Sequence, residues 1–266
     1  MKKIKDIEHK KLMIDMLEYI DKICRKNNIK YTLEGGTLLG AIRHGGMIPW
    51  DDDVDISLDK NNYSRLIDVL TKEKGRYQLL TRESNNTYYL PFVKLIDTNT
   101  IAYEFERRDI DNYGVFIDIF SYHNMPNNKI VRKIHYARLK LWQNLIFGYS
   151  KTKIKGRLVF LKKIRKKIVD IFGIEYALKK YNKALKKYDK QKTKYLILSW
   201  PVYKYKNSIF PSNIIEGYDD ILFNGINTMI SKEYDILLKT NFGDYMTLPP
   251  VEERIPQHSI EIYWRK

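Results

Sequence analysis

The chain has 266 residues, of which 44% are hydrophobic and 13% aromatic, with a formal net charge of +16. That is enough apolar material for one large domain, or a catalytic domain with a sizeable insertion, and it argues against wholesale disorder. A single cysteine, Cys24, excludes an intrachain disulfide framework. No run approaches the ~18 apolar residues of a membrane span, and residues 1–11 lack a signal-peptide core, so the expected compartment is the cytoplasm.

In chain order, Leu12, Met13, Met16, Leu17, Ile20 and Ile23 recur at three and four residues and predict a helix over 7–27, with Cys24 on its core side. A short strand at 31–33 leads into Glu34 and the Gly35-Gly36-Thr37 turn, which opens a short helix over 38–43. Gly45, Gly46 and Pro49 break that helix before a strand at 50–58 and a helix at 59–70. Further strands are expected at 77–81, 89–97, 101–106 and 115–120. The first part thus reads as mixed α/β with strands that need not be parallel.

Residues 129–194 change character. They hold 22 Lys and Arg against Asp170, Glu175 and Asp189, a surplus of 19, so the remainder of the chain sums to −3. The segment reads as helical. In 158–172, Leu161, Ile164, Ile168 and Phe172 form a stripe at helical spacing, with Lys162, Lys163, Arg165, Lys166 and Lys167 largely on the other side. Such a helix suits either an anionic membrane surface or packing against a core with a solvated basic face. Beyond it, Asn224-Gly225 marks a hairpin over 218–230, 232–239 reads as helix, and Pro249-Pro250 leads into a C-terminal tail. The expected organisation is a catalytic core over 1–128, a basic helical insertion over 129–200, and a C-terminal part over 201–266 that completes the catalytic domain.

The strongest chemical signal is Asp51-Asp52-Asp53-Val54-Asp55. On an extended strand alternate side chains share a face, so Asp51, Asp53 and Asp55 point one way, and Asp52, Val54, Ile56 and Leu58 the other. Three carboxylates on one face repel unless a cation sits among them, and Mg²⁺ or Mn²⁺ is the expected occupant. An EF-hand loop does not fit, because Ile56 stands where that loop needs glycine and Asn62 where it needs glutamate. Asp118 sits mid-strand among Val115, Phe116, Ile117, Ile119 and Phe120, where a charge is costly unless paired or metal-bound. It is the expected fourth ligand. The Gly35-Gly36-Thr37 turn offers backbone N–H groups to an anion.

These residues together resemble the LicD family of the nucleotidyltransferase superfamily. The likeness is carried by LEGGTLLGAIRHGGMIPWDDDVDI at 33–56, VKLID at 93–97, GVFIDIF at 114–120 and NFGDYMTLPP at 241–250. Fukutin-related transferases are more distantly similar through the D-x-D-V-D pattern. The resemblance implies a nucleotidyltransferase-like mixed sheet flanked by helices, with the basic segment inserted. It also implies transfer of phosphocholine or a similar group from a CDP-activated donor, CDP-choline foremost, to a hydroxyl of a cell-surface glycan. Teichoic acid, lipopolysaccharide and capsule precursors are the acceptor classes, and CMP is the leaving group.

On this reading Asp51, Asp53, Asp55 and Asp118 are metal ligands, and Asp53, Asp55 and Asp118 are catalytic. Gly35, Gly36, Thr37, Arg43, Lys94, Arg254 and His258 are candidates for the donor phosphates. Asp118 is the expected proton acceptor, with Glu34 and Glu104 as substitutes. His44 has a weaker claim, and Trp50 and Tyr113 could stack on a base or cage an ammonium group. A lipid-linked acceptor would bring the basic helix to the inner face of the cell membrane; nucleic acid is not an expected partner. Two rival readings stay open: a nucleotidyltransferase acting on a small molecule or RNA, and a non-catalytic membrane-associated adaptor.

Overall fold

The computed structural model describes residues 1–105, 110–150, 159–256 and 260–266. Helix α1 (Asp6–Lys26) buries Leu12, Met13, Met16, Leu17, Ile20 and Cys24 along one face, and Arg25 and Lys26 end it at the negative pole of its dipole. Leu17 and Ile20 are fully buried, each contributing roughly 1.5–3 kcal/mol. Burial also pushes the Cys24 thiol well above its ordinary pKa, as befits an inert core residue.

Strand β1 (Thr32–Leu33) precedes α2 (Gly35–His44), β2 (Asp55–Asp59) and α3 (Lys60–Lys72). Asp59 caps α3 by accepting from the backbone N–H groups of Asn61 and Asn62. Then come β3 (Tyr77–Leu80), β4 (Val93–Asp97), β5 (Thr100–Glu104) and the long β6 (Phe116–Met125). The basic segment supplies α4 (Lys129–Ser150), α5 (Val159–Phe172) and α6 (Ile174–Leu185). The chain returns through β7 (Tyr195–Leu198) and β8 (Phe210–Pro211), the hairpin β9 (Tyr218–Phe223) and β10 (Ile226–Ser231), α7 (Tyr234–Phe242) and β11 (Ile260–Trp264).

The fold is mixed α/β. The main sheet runs β1-β2-β6-β4-β3, and β7 joins β6 with β8 beyond it. Within it β2 and β6 run parallel, whereas the other pairings are antiparallel. One edge of β6 carries β2; the other pairs first with β4 and then, over Tyr122–Met125, with β7. Val54, Ile56, Leu58, Ile117 and Ile119 are buried in the core, as strand alternation requires of the face opposite Asp55 and Asp118.

Several boundaries depart from expectation for identifiable reasons. The strand expected at 50–58 begins only at Asp55, because Pro49 and Trp50 sit in a turn closed by Asp51 N–H donating to the Ile48 carbonyl, 3.0 Å. The strand expected at 89–97 begins at Val93; Pro91 has no N–H for a ladder, and Tyr88 instead donates its hydroxyl to the Phe92 carbonyl, 2.8 Å. Gly35 and Gly36 form the first turn of α2 itself. The C-terminal tail is a strand: β11 pairs antiparallel with β5, Ile262 opposite Ala102. Glu106, at the end of one expected strand, and Leu158, at the head of the basic stripe, lie outside the described residues.

Of the two packings expected for the basic helix, core packing of the stripe is not the one observed. Val169 is the buried residue of α5, whereas Phe160, Leu161, Ile164, Ile168, Ile171 and Phe172 face solvent. The apolar stripe therefore does not pack on a core.

On α4, His135 is 2% exposed and neither ring nitrogen has a hydrogen-bond partner; the ring meets Tyr188 edge-on at 4.8 Å. Burial lowers its pKa from 6.5 to about 4, with Arg138 adding to the shift. The unfolded chain takes up this proton below pH ~6.5 and the folded chain only near 4, so stability contributed by the neutral ring is lost as pH falls through that interval. His135→Leu is expected to reduce the loss of urea-melt stability between neutral pH and pH ~4.5, with little change at neutral pH; an unchanged acid profile would refute the assignment.

Candidate active site

The register of the sheet builds the centre. Asp55 on β2 lies opposite Asp118 on β6, and Asp118 lies opposite Lys94 on β4. Cross-strand partners project to the same face, so Asp55, Asp118 and Lys94 form one row across three neighbouring strands. Lys94 is 3% exposed and its ammonium is ion-paired with Asp118 Oδ1. Aromatic rings surround that ammonium: Phe116 with its centroid at 3.5 Å, Phe92 at 5.4 Å and Tyr113 at 5.8 Å. Tyr113, considered from sequence as a possible cage for a ligand's ammonium, instead lines a cage around the chain's own lysine.

Asp55 is half-buried, but its Oδ1 is fully enclosed and has no hydrogen-bond partner. Burial holds its carboxyl well above the usual carboxylate range, and the charges of Asp53, Asp118 and Asp51 push the same way, opposed by Lys94. Asp51, Asp52 and Asp53 stand in the loop just ahead of β2, each with a carboxylate oxygen within 4.8 Å of the others. Strand alternation would have turned Asp52 to the far face; because the strand has not yet begun, Asp52 joins its neighbours. It is a residue the sequence pattern misassigned. A buried acceptor without a partner, crowded by acids from two strands and a loop, fits a divalent cation with all-oxygen ligands.

The amino end of α2 abuts this cluster. A Cβ on Gly36 would lie 2.5 Å from Asp51 Oδ2, and one on Gly35 3.7 Å from Asp55 Oδ2. Gly35 also has φ +52°, a left-handed value that favours glycine. The hydroxyl of Thr37 accepts from the Asp55 backbone N–H at 2.9 Å, and Glu34 N–H donates to the Asp55 carbonyl at 3.0 Å. The positive pole of the helix thus faces two of the carboxylates. Gly36→Ala should displace the Asp51 carboxylate and lower divalent-ion affinity by about 10- to 100-fold with a folded chain; calorimetric titration with Mn²⁺ showing wild-type affinity would contradict this.

Glu34 is buried beside the row. It accepts from Ser57 Oγ at 2.6 Å and from the Tyr122 hydroxyl. Burial raises its pKa, while hydrogen bonds from Ser57, Tyr122, Gly35 N–H and Asn241 oppose the shift. These bonds make it a tie between β2, β6 and α7. Tyr203, which no sequence pattern singled out, is a further neighbour: burial raises its pKa, and the charges of Glu34, Asp55, Asp53 and Asp51 add to the shift. Glu104 sits on β5 in a separate two-stranded sheet with β11, outside the row.

Two of the expected donor-binding cations gather at the far end of α2. Arg43 donates to the carbonyls of Tyr245 at 2.8 Å and Thr247 at 3.3 Å, bracing the 241–250 segment. Burial and the nearby Arg254 lower its pKa. The Arg254 guanidinium lies 5.5 Å from the ring centroid of Trp50, and its Nε donates to the Pro249 carbonyl at 2.9 Å. His44 meets Trp50 edge-on at 6.0 Å. Trp50 directly precedes Asp51, so it joins this cationic group to the acidic one. His258 lies outside the described residues.

The hairpin also supports the site. Asn224, at φ +49°, accepts from Met47 N–H through Oδ1 at 2.8 Å, and its own N–H donates to the Gly45 carbonyl at 2.9 Å. The tip of β9–β10 thereby fixes the loop between α2 and the aspartates.

Comparison with known proteins agrees with this geometry. Residues 28–160 match the family model described as LicD/FKTN/FKRP, nucleotidyltransferase domain. Lipopolysaccharide cholinephosphotransferase LicD of Haemophilus influenzae is 30% identical over 269 aligned positions, covering 99% of this chain and 99% of that protein. Ribitol 5-phosphate transferase FKRP of Homo sapiens is 50% identical over 40 residues, 15% of this chain and 8% of that one.

Proposed function

The chain belongs to the LicD family, and from that premise we propose that it transfers phosphocholine, or a similar phosphate-linked head group, from a CDP-activated donor to a glycan hydroxyl. The observation that carries this reading is the row Asp55–Asp118–Lys94, with the enclosed Asp55 Oδ1 left unsatisfied beside further carboxylates. Full-length likeness to a lipopolysaccharide cholinephosphotransferase makes CDP-choline the first donor to test and a lipopolysaccharide-type or other surface glycan the first acceptor. FKRP, named for ribitol 5-phosphate, makes a CDP-alditol the second.

In this scheme Asp51, Asp53, Asp55 and Asp118 would hold Mg²⁺ or Mn²⁺. When bound, the ion supplies charge neutralisation at the phosphates and a lowered pKa for the attacking hydroxyl. The acceptor oxygen forms a bond to the phosphorus bearing the head group, the bond from that phosphorus to the CMP oxygen breaks, and CMP leaves. The hydroxyl proton passes to a carboxylate, and Asp118 is the assigned acceptor because its ion pair with Lys94 holds it oriented in the row. The N–H groups of Gly35, Gly36 and Thr37 face the donor's phosphates from the α2 terminus. Arg254, beside Trp50, and Arg43 neutralise the nucleotide end, with Trp50 offering a ring face to cytosine.

Product analysis tests the scheme. With labelled CDP-choline and glycan acceptor, CMP and labelled glycan are expected; pyrophosphate from a nucleoside triphosphate would mean nucleotidyl transfer instead. Asp53→Ala should abolish turnover, whereas an adaptor would have no turnover to lose.

A further inference from the structure

No helix among the described residues is long and apolar enough to cross a membrane, yet α5 turns its apolar side outward. Phe160, Ile171 and Phe172 are 72%, 67% and 62% exposed, and Leu161, Ile164 and Ile168 are exposed beside them. At 100° per residue these six positions fall within an arc of about 120°. The opposite side is the packed one: Val169 is buried, and the α5 backbone around Arg165 and Lys166 closes on Gly148 of α4, where a Cβ would lie 3.3 Å from Arg165 Cβ. By the same wheel Lys163 and Lys167 border the stripe on one side and Arg165 on the other. Helix α4 repeats the pattern, with Ile130, Ile134 and Leu141 exposed on one helical face and Lys133 and Arg138 exposed alongside it.

Three kinds of partner could cover an apolar stripe set in positive charge. A second copy would bring another segment with a surplus of 19 positive charges against the first, and that repulsion opposes pairing through this face. Nucleic acid would use the lysines but gains nothing from exposed aliphatic side chains. An anionic bilayer satisfies both features, since lipid phosphates meet the lysines while the acyl boundary accepts Phe and Ile.

We propose that α5 is a membrane-docking helix. It lies flat on anionic lipid with Phe160, Ile164, Ile171 and Phe172 below the headgroups and Lys163, Lys167 and Arg165 at the phosphate level. The inference rests on the proposed transferase reading only for its purpose, which is to bring the centre to a lipid-borne acceptor; the surface chemistry is independent of that reading.

The test uses the full chain and sedimentation with vesicles of phosphatidylcholine alone or mixed with phosphatidylglycerol. Wild type should bind the mixed vesicles and not the neutral ones, with binding weakened by high salt. The triple variant Phe160→Ser, Ile171→Ser, Phe172→Ser should lose binding by at least about tenfold while keeping its helical circular dichroism and its donor turnover on a water-soluble acceptor. Lys163→Glu with Lys167→Glu should lose about tenfold as well. Equal vesicle binding by wild type and triple variant overturns the proposal. So does a wild-type dimer that the triple variant converts to monomer, or binding to RNA that competes with the vesicles and survives the serine substitutions. Absent donor turnover with intact vesicle binding would count against the transferase reading alone.

Discussion

Asp55→Asn is expected to lower head-group transfer by at least ~10³-fold while leaving the metal-free protein as stable as wild type, or more so. The two effects separate because of where Asp55 sits. Its carboxyl is buried, its Oδ1 has no partner, and Asp53, Asp118 and Asp51 press against its ionised form. In the absence of a cation, burial and these neighbours disfavour the ionised carboxyl, and an amide of the same shape removes that repulsion. The proposed scheme needs the opposite, a full negative charge delivered to a bound cation, and on that scheme losing one such group would cost several kcal/mol of transition-state stabilisation. Urea melts of both proteins without divalent ions, paired with CMP release under saturating Mg²⁺, would check the claim. A large drop in metal-free stability, or turnover within tenfold of wild type, would defeat it. The pattern is the one expected where function holds charge against the preference of the fold.

Lys94→Met should act in the reverse way, through the fold first. The ammonium is enclosed by Phe92, Tyr113 and Phe116 and ion-paired with Asp118, so its removal takes a buried cationic partner from that carboxylate. Breaking a buried pair from one side costs ~3–5 kcal/mol. Methionine fills much of the vacated volume and can pack on the surrounding rings, so most of that loss should be electrostatic. Two measurements distinguish this from simple packing damage. The double variant Lys94→Met, Asp118→Asn should recover part of the loss, and added Mn²⁺ should raise the melting midpoint of Lys94→Met more than that of wild type, because a bound ion replaces the missing charge. Equal metal-induced shifts in the two proteins would remove Lys94 from its assigned role as the resident counter-charge of Asp118.

Much of the fold was legible where periodicity is strong and local. Helix α1 falls within one residue of its expected bounds, because its apolar positions repeat over more than three turns, from Leu12 to Cys24. The hairpin around Asn224-Gly225 is declared by its own turn residues. Asp55 and Asp118 could be brought together from sequence because each is an acid flanked by core-forming residues.

What stayed hidden depends on non-local order. The pairing of Lys94 with Asp118 follows from β4 being the neighbour of β6, and no spacing in the chain states that neighbourhood. Asp52 was misassigned because alternation was extended into a loop. Arg43 also donates to carbonyls of the 241–250 segment, a tie no spacing states, and it explains why that distant run and the α2 motif occur together. Strand β11 escaped notice because its partner β5 lies far back in the chain, and five alternating residues look like any terminal tail. The outward apolar face of α5 could be drawn on a wheel, but which side met the protein required the neighbour α4.

The divided edge of β6 has a consequence for biosynthesis. On a ribosome, the strand carrying Asp118 emerges complete well before β7, its partner over Tyr122–Met125, because the whole basic helical segment is made in between. During that wait the backbone of Tyr122–Met125 has an open edge, a geometry prone to pairing with another nascent chain. The gap closes only when β7 is made, after the whole basic segment.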